Sequence, residues 1–341
     1  MSVDCPGAPP AGATDRLGGP ADAPAPGPRA ARVLLYVFSG TGNTAFAVEA
    51  LAQAFRQRGA EVVIRPVRLP LPEPAPPGEW DLVGFGYPVH AFNTPRFFLR
   101  FVRTLPDAPG GRAFVFKTAG EPFHANSASS WPLVRLLRRK GYTVLQDRHL
   151  LMPYHILFRY PDGLARQMAG HTRAMAAMMA DQLLQGQAQR MRYLPWTAAV
   201  MLLFRLQWLG AWLNGPLIHV RRGRCSRCGR CVARCPAQNI SLRQGVPHFS
   251  HRCTMCMACA TICPQDAVRP GFLTAWRVNG GYPYEALLHS SDTPEDYVST
   301  ARGYYALFRG YYRRTGEELA RYGAKGSPAD AGGQCQEREK P

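Results

Sequence analysis

Val33–Phe38 is an unbroken apolar run, the pattern of a strand buried on both faces. From Asn43 to Arg58 the period changes: Phe46, Val48, Leu51, Ala52 and Phe55 recur at helical spacing, and Gly59 supplies a stop. The alternation continues with strands at Glu61–Val67, Asp81–Gly86, Arg112–Thr118 and Tyr142–Leu150. A proline-rich loop spans Pro70–Gly78, and helices are predicted over Thr94–Thr104 and Ser127–Lys140. Strands that alternate with helices predict an α/β fold, a doubly wound five-stranded parallel sheet. Beyond it, Asp162–Gln189 is a long helical pattern rich in Ala and Met, and Trp196–Leu213 is more apolar still. Thr293–Tyr322 reads as an aromatic-rich amphipathic helix with Ser291 or Asp292 as cap and Pro294 in its first turn.

Composition changes this picture at the ends of the chain. Residues 1–30 are almost all Ala, Pro, Gly and Asp, which predicts a disordered leader, and no secretory pattern is present. Eight of the ten cysteines fall between Cys225 and Cys263, while Cys5 and Cys335 sit in polar tails as free thiols. Clustering of this kind points to metal ligation in a reducing, cytoplasmic compartment rather than to a disulfide scaffold. The formal net charge is +18. It favours an acidic redox partner or an anionic membrane surface. The basic residues are scattered without a recognised nucleic-acid module, so nucleic acid is not the expected partner.

The cysteines form an internal repeat. Cys225, Cys228, Cys231 and Cys235 recur 28 positions later as Cys253, Cys256, Cys259 and Cys263, with Pro236 and Pro264 following the last of each set. Three thiolates at two-residue gaps can wrap three corners of an iron–sulfur cube, and the fourth reaches across to the other cube. That assigns one [4Fe–4S] cluster to Cys225, Cys228, Cys231 and Cys263, and a second to Cys253, Cys256, Cys259 and Cys235. A pair of zinc sites is the competing reading, but zinc normally needs only two paired C-x-x-C arms. The block resembles bacterial two-cluster ferredoxins over residues 221–270. It departs from the many acidic members in carrying nine arginines and one acid, Asp266. Such charge either raises the cluster potentials and attracts an acidic partner, or merely offsets anionic clusters.

The segment Ser39-Gly-Thr-Gly-Asn-Thr44 follows the first strand and fits two ligands. Gly40-x-Gly42-x-x-Ala45 satisfies a loose dinucleotide fingerprint, yet Arg65 and Arg68 stand after strand two where NAD would want an acid. A single terminal phosphate would use the hydroxyls of Ser39, Thr41 and Thr44, the amide of Asn43 and the N–H groups opening the helix. The segment resembles the phosphate loop of flavodoxins. That resemblance implies FMN, held also by two loops after strands three and four. They correspond to Tyr87, Pro88, Val89, His90, Ala91 and Phe92, and to Thr118, Ala119 and Gly120 within Thr118–Phe123. Tyr87, His90, Phe92 or Phe123 would flank the flavin ring, each with ordinary packing as its alternative role.

A flavodoxin-like domain followed by a two-cluster ferredoxin domain resembles the fusion proteins called EFR-type ferredoxins, over roughly residues 31–270. The resemblance implies domains at 31–160 (FMN) and 220–272 (two clusters), joined by a helical connector at 161–219. A C-terminal helical segment and tail would fill 273–341. It implies electron transfer between FMN and the clusters for an unidentified redox partner, and no catalytic constellation accompanies it. A flavin-dependent reductase of a small molecule, fed by its own ferredoxin domain, is the alternative. His248 and His251, between the motifs, read as exposed loop histidines before they read as a proton relay.

Trp196–Leu213 admits three expectations: a helix packed between the domains, a peripheral membrane contact, or a span. Arg205 at its middle would cost about 2.5–3.5 kcal/mol on insertion.

Overall fold

A computed structural model describes residues 29–189, 193–276, 280–291, 294 and 296–324. The predicted leader up to residue 28, Cys5, Cys335, Asp292 and Thr293 lie outside the described residues.

Five parallel strands form the main sheet: β1 (Arg32–Val37), β2 (Glu61–Pro66), β3 (Leu82–Pro88), β4 (Arg112–Ala119) and β5 (Thr143–Leu151). Their order is β2-β1-β3-β4-β5, the flavodoxin-like winding with its switch point between β1 and β3. Alternate residues of the apolar strands feed two cores. On one face Val33, Leu35 and Phe114 pack under helix α1 (Asn43–Arg56). On the other, Leu34, Tyr36 and Phe85 pack under α2 (Arg96–Thr104) and α4 (Trp131–Arg139). Between α2 and α4, the predicted helix over Ser127–Lys140 is in fact broken. A short α3 (His124–Ala128) precedes α4, whose first turn contains Pro132, a residue that lacks the N–H a continuous ladder requires.

The expected connector is different from what the pattern predicted. α5 (Asp162–Leu184) lies on the sheet beside α1, with Met175, Met178, Met179 and Leu183 fully buried in the same core as Phe55. It completes the helical layer on that face. It stops before Gln189 because Gly186 turns into the left-handed region at φ +70°.

Trp196–Leu213 is two helices, α6 (Trp196–Phe204) and α7 (Gln207–Leu217). The ladder tightens between them: Leu206 N–H reaches Leu203 O at 3.3 Å and Trp208 N–H reaches Arg205 O at 2.9 Å. Among the described residues no helix is long and apolar enough to cross a membrane.

The cysteine-rich part has its own small core around Ile218, Cys231, Ile240, Phe249 and Val268. Two antiparallel pairs frame it, β6 (His219–Val220) with β9 (Val268–Arg269) and β7 (Ile240–Arg243) with β8 (Val246–Phe249). Two single-turn helices follow their cysteine loops, α8 (Arg230–Arg234) and α9 (Ala258–Thr261). The remainder returns to the sheet. α10 (Tyr284–His289), a tight turn at Gly303–Phe308 and α11 (Arg309–Ala324) pack Tyr284, Phe308 and Tyr311 against Met152, Tyr160 and Leu164. The single helix predicted over Thr293–Tyr322 therefore shortens to α11, since Gly303 takes φ +59° ahead of it.

Candidate cofactor sites

The structure gathers the three loops at the carboxyl ends of β1, β3 and β4 around one cleft. Ser39, Gly40, Thr41, Asn43 and Thr44 form one wall, Pro88–Phe92 a second, and Thr118, Ala119 and Gly120 a third. Gly42 sits at the turn with φ +112°, a conformation an L side chain avoids. The first turn of α1 carries no acid, so its N–H groups and positive dipole end are open to an anion.

Several predicted donors are already engaged. Ala45 N–H donates to Ser39 Oγ at 3.1 Å, and Thr44 Oγ1 shares a 2.8 Å hydrogen bond with Thr118 Oγ1. Asn43 Nδ2 donates to Pro153 O at 2.6 Å and its Oδ1 accepts from Tyr284 Oη at 2.5 Å. Asn43 thus clamps the loop between β5 and the returning C-terminal segment, so its amide is spent on tying the loop down.

Of the aromatic residues expected beside a flavin ring, Tyr87 is not in the cleft. It is fully buried, its hydroxyl 3.2 Å from Ser129 Oγ and its ring 5.5 Å from Phe98. Being on the apolar strand β3, it follows the alternation into the core. Phe123 is exposed ahead of α3 and does not line the cleft. His90 and Phe92 do. Burial pushes the His90 imidazole down to about 4, so it is neutral at ordinary pH, and Phe92 is braced edge-on by Phe204 of α6 at 4.8 Å.

Sequence reading missed the fourth wall, Met152–Leu157 after β5, together with Glu121 and Asn126. Gly120 permits that wall, since a Cβ there would lie 2.5 Å from Tyr154 Cε1. Burial raises the Glu121 carboxyl to about 7, and hydrogen bonds from Tyr304 and Asn126 draw it only partway back. His155 is buried and held neutral near 4 by burial, with Arg159 adding to the effect, and its Nε2 has no partner among the described residues. A polar atom orphaned in the wall of a cleft fits a bound heteroaromatic ligand. The local signal was weak: "MPYHIL" reads as an ordinary strand exit.

The eight cysteines of the repeat, two quartets by the assignment expected from sequence, are all free thiols. Cys225 and Cys263 lie close enough to Cys231, and Cys256 and Cys235 to Cys253, to help raise those thiols beyond what burial does. Cys231 also lies near Cys259, so the two sets of thiols are close neighbours. The backbone repeats as faithfully as the sequence. Arg227, Gly229 and Gln238 take positive φ in the first arm, and Met255, Met257 and Asp266 do so in the second. These turns aim amides at sulfur: Asn239 N–H to Cys235 Sγ and Ala267 N–H to Cys263 Sγ, both at 3.2 Å. Such donors stabilise thiolates bound to a cage of iron and sulfide. Among the described residues no three metal-ligating side chains converge on one point.

The two quartets differ in surroundings. Cys228 is exposed, and its thiol is lowered first by the Arg230 N–H. Burial pushes Cys253 up to about 12 and also raises Cys256 and Cys259. The second quartet faces the cleft: Met255, Cys256 and Met257 close its remaining side. A Cβ on Gly40 would lie 2.3 Å from Cys256 O, so the phosphate-type loop and the second cysteine loop touch backbone to backbone. Leu69 N–H also donates to Pro236 O at 2.8 Å, which fixes the same docking from the β2 side. His248 and His251 are exposed, the latter stacked on Trp212 at 4.5 Å.

Residues 224–268 match the family model of the 4Fe-4S dicluster domain. Curated proteins gave no match. Among solved structures the chain is similar to flavodoxin 1 from Bacillus cereus, at 17% identity and TM-score 0.34, over 43% of this chain and 95% of that one. It is similar to an archaeal flavodoxin at 14% identity and TM-score 0.32, over 45% and 99%. It spans 46% of its own length and 36% of the rubredoxin oxygen:oxidoreductase from Desulfovibrio gigas, at 14% identity and TM-score 0.32. The chain thus joins a sheet of flavodoxin-like strand order, β2-β1-β3-β4-β5, to a segment at residues 224–268 that matches the 4Fe-4S dicluster domain.

Proposed function

We propose that the chain relays electrons between FMN in the cleft and two [4Fe–4S] clusters, in the spatial order cleft, second quartet, first quartet. The observation that carries this is the seating of Cys256 in the cleft wall against Gly40. When bound, FMN would supply two-electron chemistry that can be divided into single steps, and each cluster one-electron chemistry. Ser39, Thr41 and the opening N–H groups of α1 would hold the phosphate, and His90, Phe92 and Tyr154 would border the ring. Cys253, Cys256, Cys259 and Cys235 would hold the cage nearer the cleft, and Cys225, Cys228, Cys231 and Cys263 the outer one. Met255 and Met257, which line the cleft beside Cys256, would shield the inner cage from water entering there. The exposed Cys228 loop, with Arg227 and Arg230 beside it, suits an acidic redox protein as exchange partner.

Anaerobic purification followed by assay of flavin, iron and acid-labile sulfide on one sample tests the reading. The expected result is FMN together with ~8 iron and ~8 sulfide per chain. Material with flavin absent, or with iron near a single ion per arm, would overturn it. Rapid mixing should then show cluster bleaching that follows flavin reduction.

A further inference from the structure

Nine of the nineteen large exposed apolar side chains among the described residues belong to the α6–α7 segment. Leu202, Leu203, Leu206, Leu209, Leu213 and Leu217 all point out of α6 and α7, with Leu203 and Leu206 each 69% exposed. Trp196 and Trp212 flank them and are half exposed. An apolar face of this kind is unusual on a protein surface, where exposed apolar side chains are normally scattered singly.

The α6–α7 segment is anchored from behind, so its outer face is a built surface. Asn93 Nδ2 donates to Met201 O at 3.0 Å, Gln207 Nε2 to His90 O at 2.5 Å, and Asn214 Nδ2 to Pro270 O at 3.2 Å. All three bonds use the inward side, and Met201, Asn214 and Gly215 are buried there.

The charge around this face is one-sided. From Tyr193 to Trp276 the sequence carries ten arginines and a single acid, Asp266. Arg221, Arg222 and Arg224 follow β6, a few residues after α7, and are exposed. We propose that the α6–α7 face docks on an anionic lipid bilayer, lying in the headgroup plane with leucines inserted and arginines on phosphate. Its ingredients are those of an interfacial helix: an aliphatic face, flanking tryptophans and adjacent basic residues. With no helix among the described residues able to cross, the contact is with the surface. A second copy of the chain fits less well, because two bodies of net charge +18 repel. A protein partner fits less well because leucine is under-represented among the residues that dominate protein interfaces. The inference does not rest on the relay.

The test uses the full-length, cofactor-loaded protein with vesicles of phosphatidylcholine alone and of phosphatidylcholine mixed with phosphatidylglycerol. Leu203→Glu/Leu206→Glu changes only solvated positions, and unchanged iron and flavin content verifies its fold. Co-sedimentation with the phosphatidylglycerol vesicles, a blue shift of tryptophan emission, and at least a roughly tenfold weaker partition for the double variant are expected. Protein left in the supernatant with both vesicles would overturn the proposal. So would equal partition of variant and parent, which would assign the attraction to arginine charge alone. Failure to bind vesicles, together with a dimer or an acidic-protein complex that the double variant abolishes, would overturn it in favour of that occupant.

Discussion

At Gly40 one added carbon would sit 2.3 Å from a backbone oxygen of the second cysteine loop. Backbone cannot swing aside as a side-chain end can, so Gly40→Ala is an overpacking change at the seam between cleft and cluster. It should cost about 1–3 kcal/mol in chemical denaturation while the iron content of the folded protein is retained. An unaltered unfolding midpoint would show that the two loops are not pressed together. Glu121 offers a second test at this scale. Its carboxyl is raised from 4.5 to about 7, first by burial, so between those values the fold holds a proton that the unfolded chain has released. The stability it contributes is complete below about 4.5 and is lost as pH rises through about 7. Relative to Glu121→Gln, the parent should therefore lose on the order of 1–3 kcal/mol across that window, discounted for partial solvation. A parent-minus-variant difference that stays flat with pH would remove the titration from Glu121.

At the scale of elements, the seam between β4 and β5 depends on a buried ion pair. Lys117 Nζ lies 2.6 Å from Asp147 Oδ1, both side chains almost wholly out of water, and Ser130 and Tyr193 bond the same carboxylate. Lys117→Met should destabilise the protein by about 3–5 kcal/mol, because it strands a buried carboxylate. Adding Asp147→Leu should restore most of that loss in the same unfolding measurement, and no recovery would mean that the pair is not what the site loses. Element prediction itself succeeded where the period was local. The run Val33–Phe38 could only be a buried strand, and the helix after it was fully specified by Phe46, Leu51 and Phe55. It failed at Pro132 and Gly303, where one residue interrupts an otherwise helical pattern, and periodicity averages such a residue away. Tyr87 was misread for a related reason: its position at a strand end was legible, but the face it takes is decided by the pleat.

For the whole molecule, the proposed crossed ligation would make the two cysteine arms interdependent. Cys263→Ser should cost the same cage as Cys225→Ser, although the two lie in different arms, and iron per chain should fall by about half in each. The Cys225→Ser/Cys263→Ser double variant should lose no more than either single, whereas Cys225→Ser/Cys253→Ser should lose both cages. Additive loss in the first pair would break the assignment of quartets. The C-terminal return works at this scale too. Arg148 bonds Glu318 at 2.7 Å, Tyr311 Oη reaches His149 O at 2.8 Å, and Tyr284 holds Asn43 of the phosphate-type loop. Residues more than two hundred positions apart thus share the support of one cleft.

Spacing along the chain was enough to determine the alternating strands and helices, the repeated cysteine arms and the hydroxyl-rich loop, because each is a matter of contacts between near neighbours or of a fixed repeat. Proximity between distant segments was decided by packing alone. Nothing local announces that Met255–Met257 close the cleft, that α5 covers the sheet instead of linking domains, or that Met152–Leu157 supply a wall. Each of those outcomes depends on which apolar faces find one another when the chain collapses, and that is a property of the assembled layers.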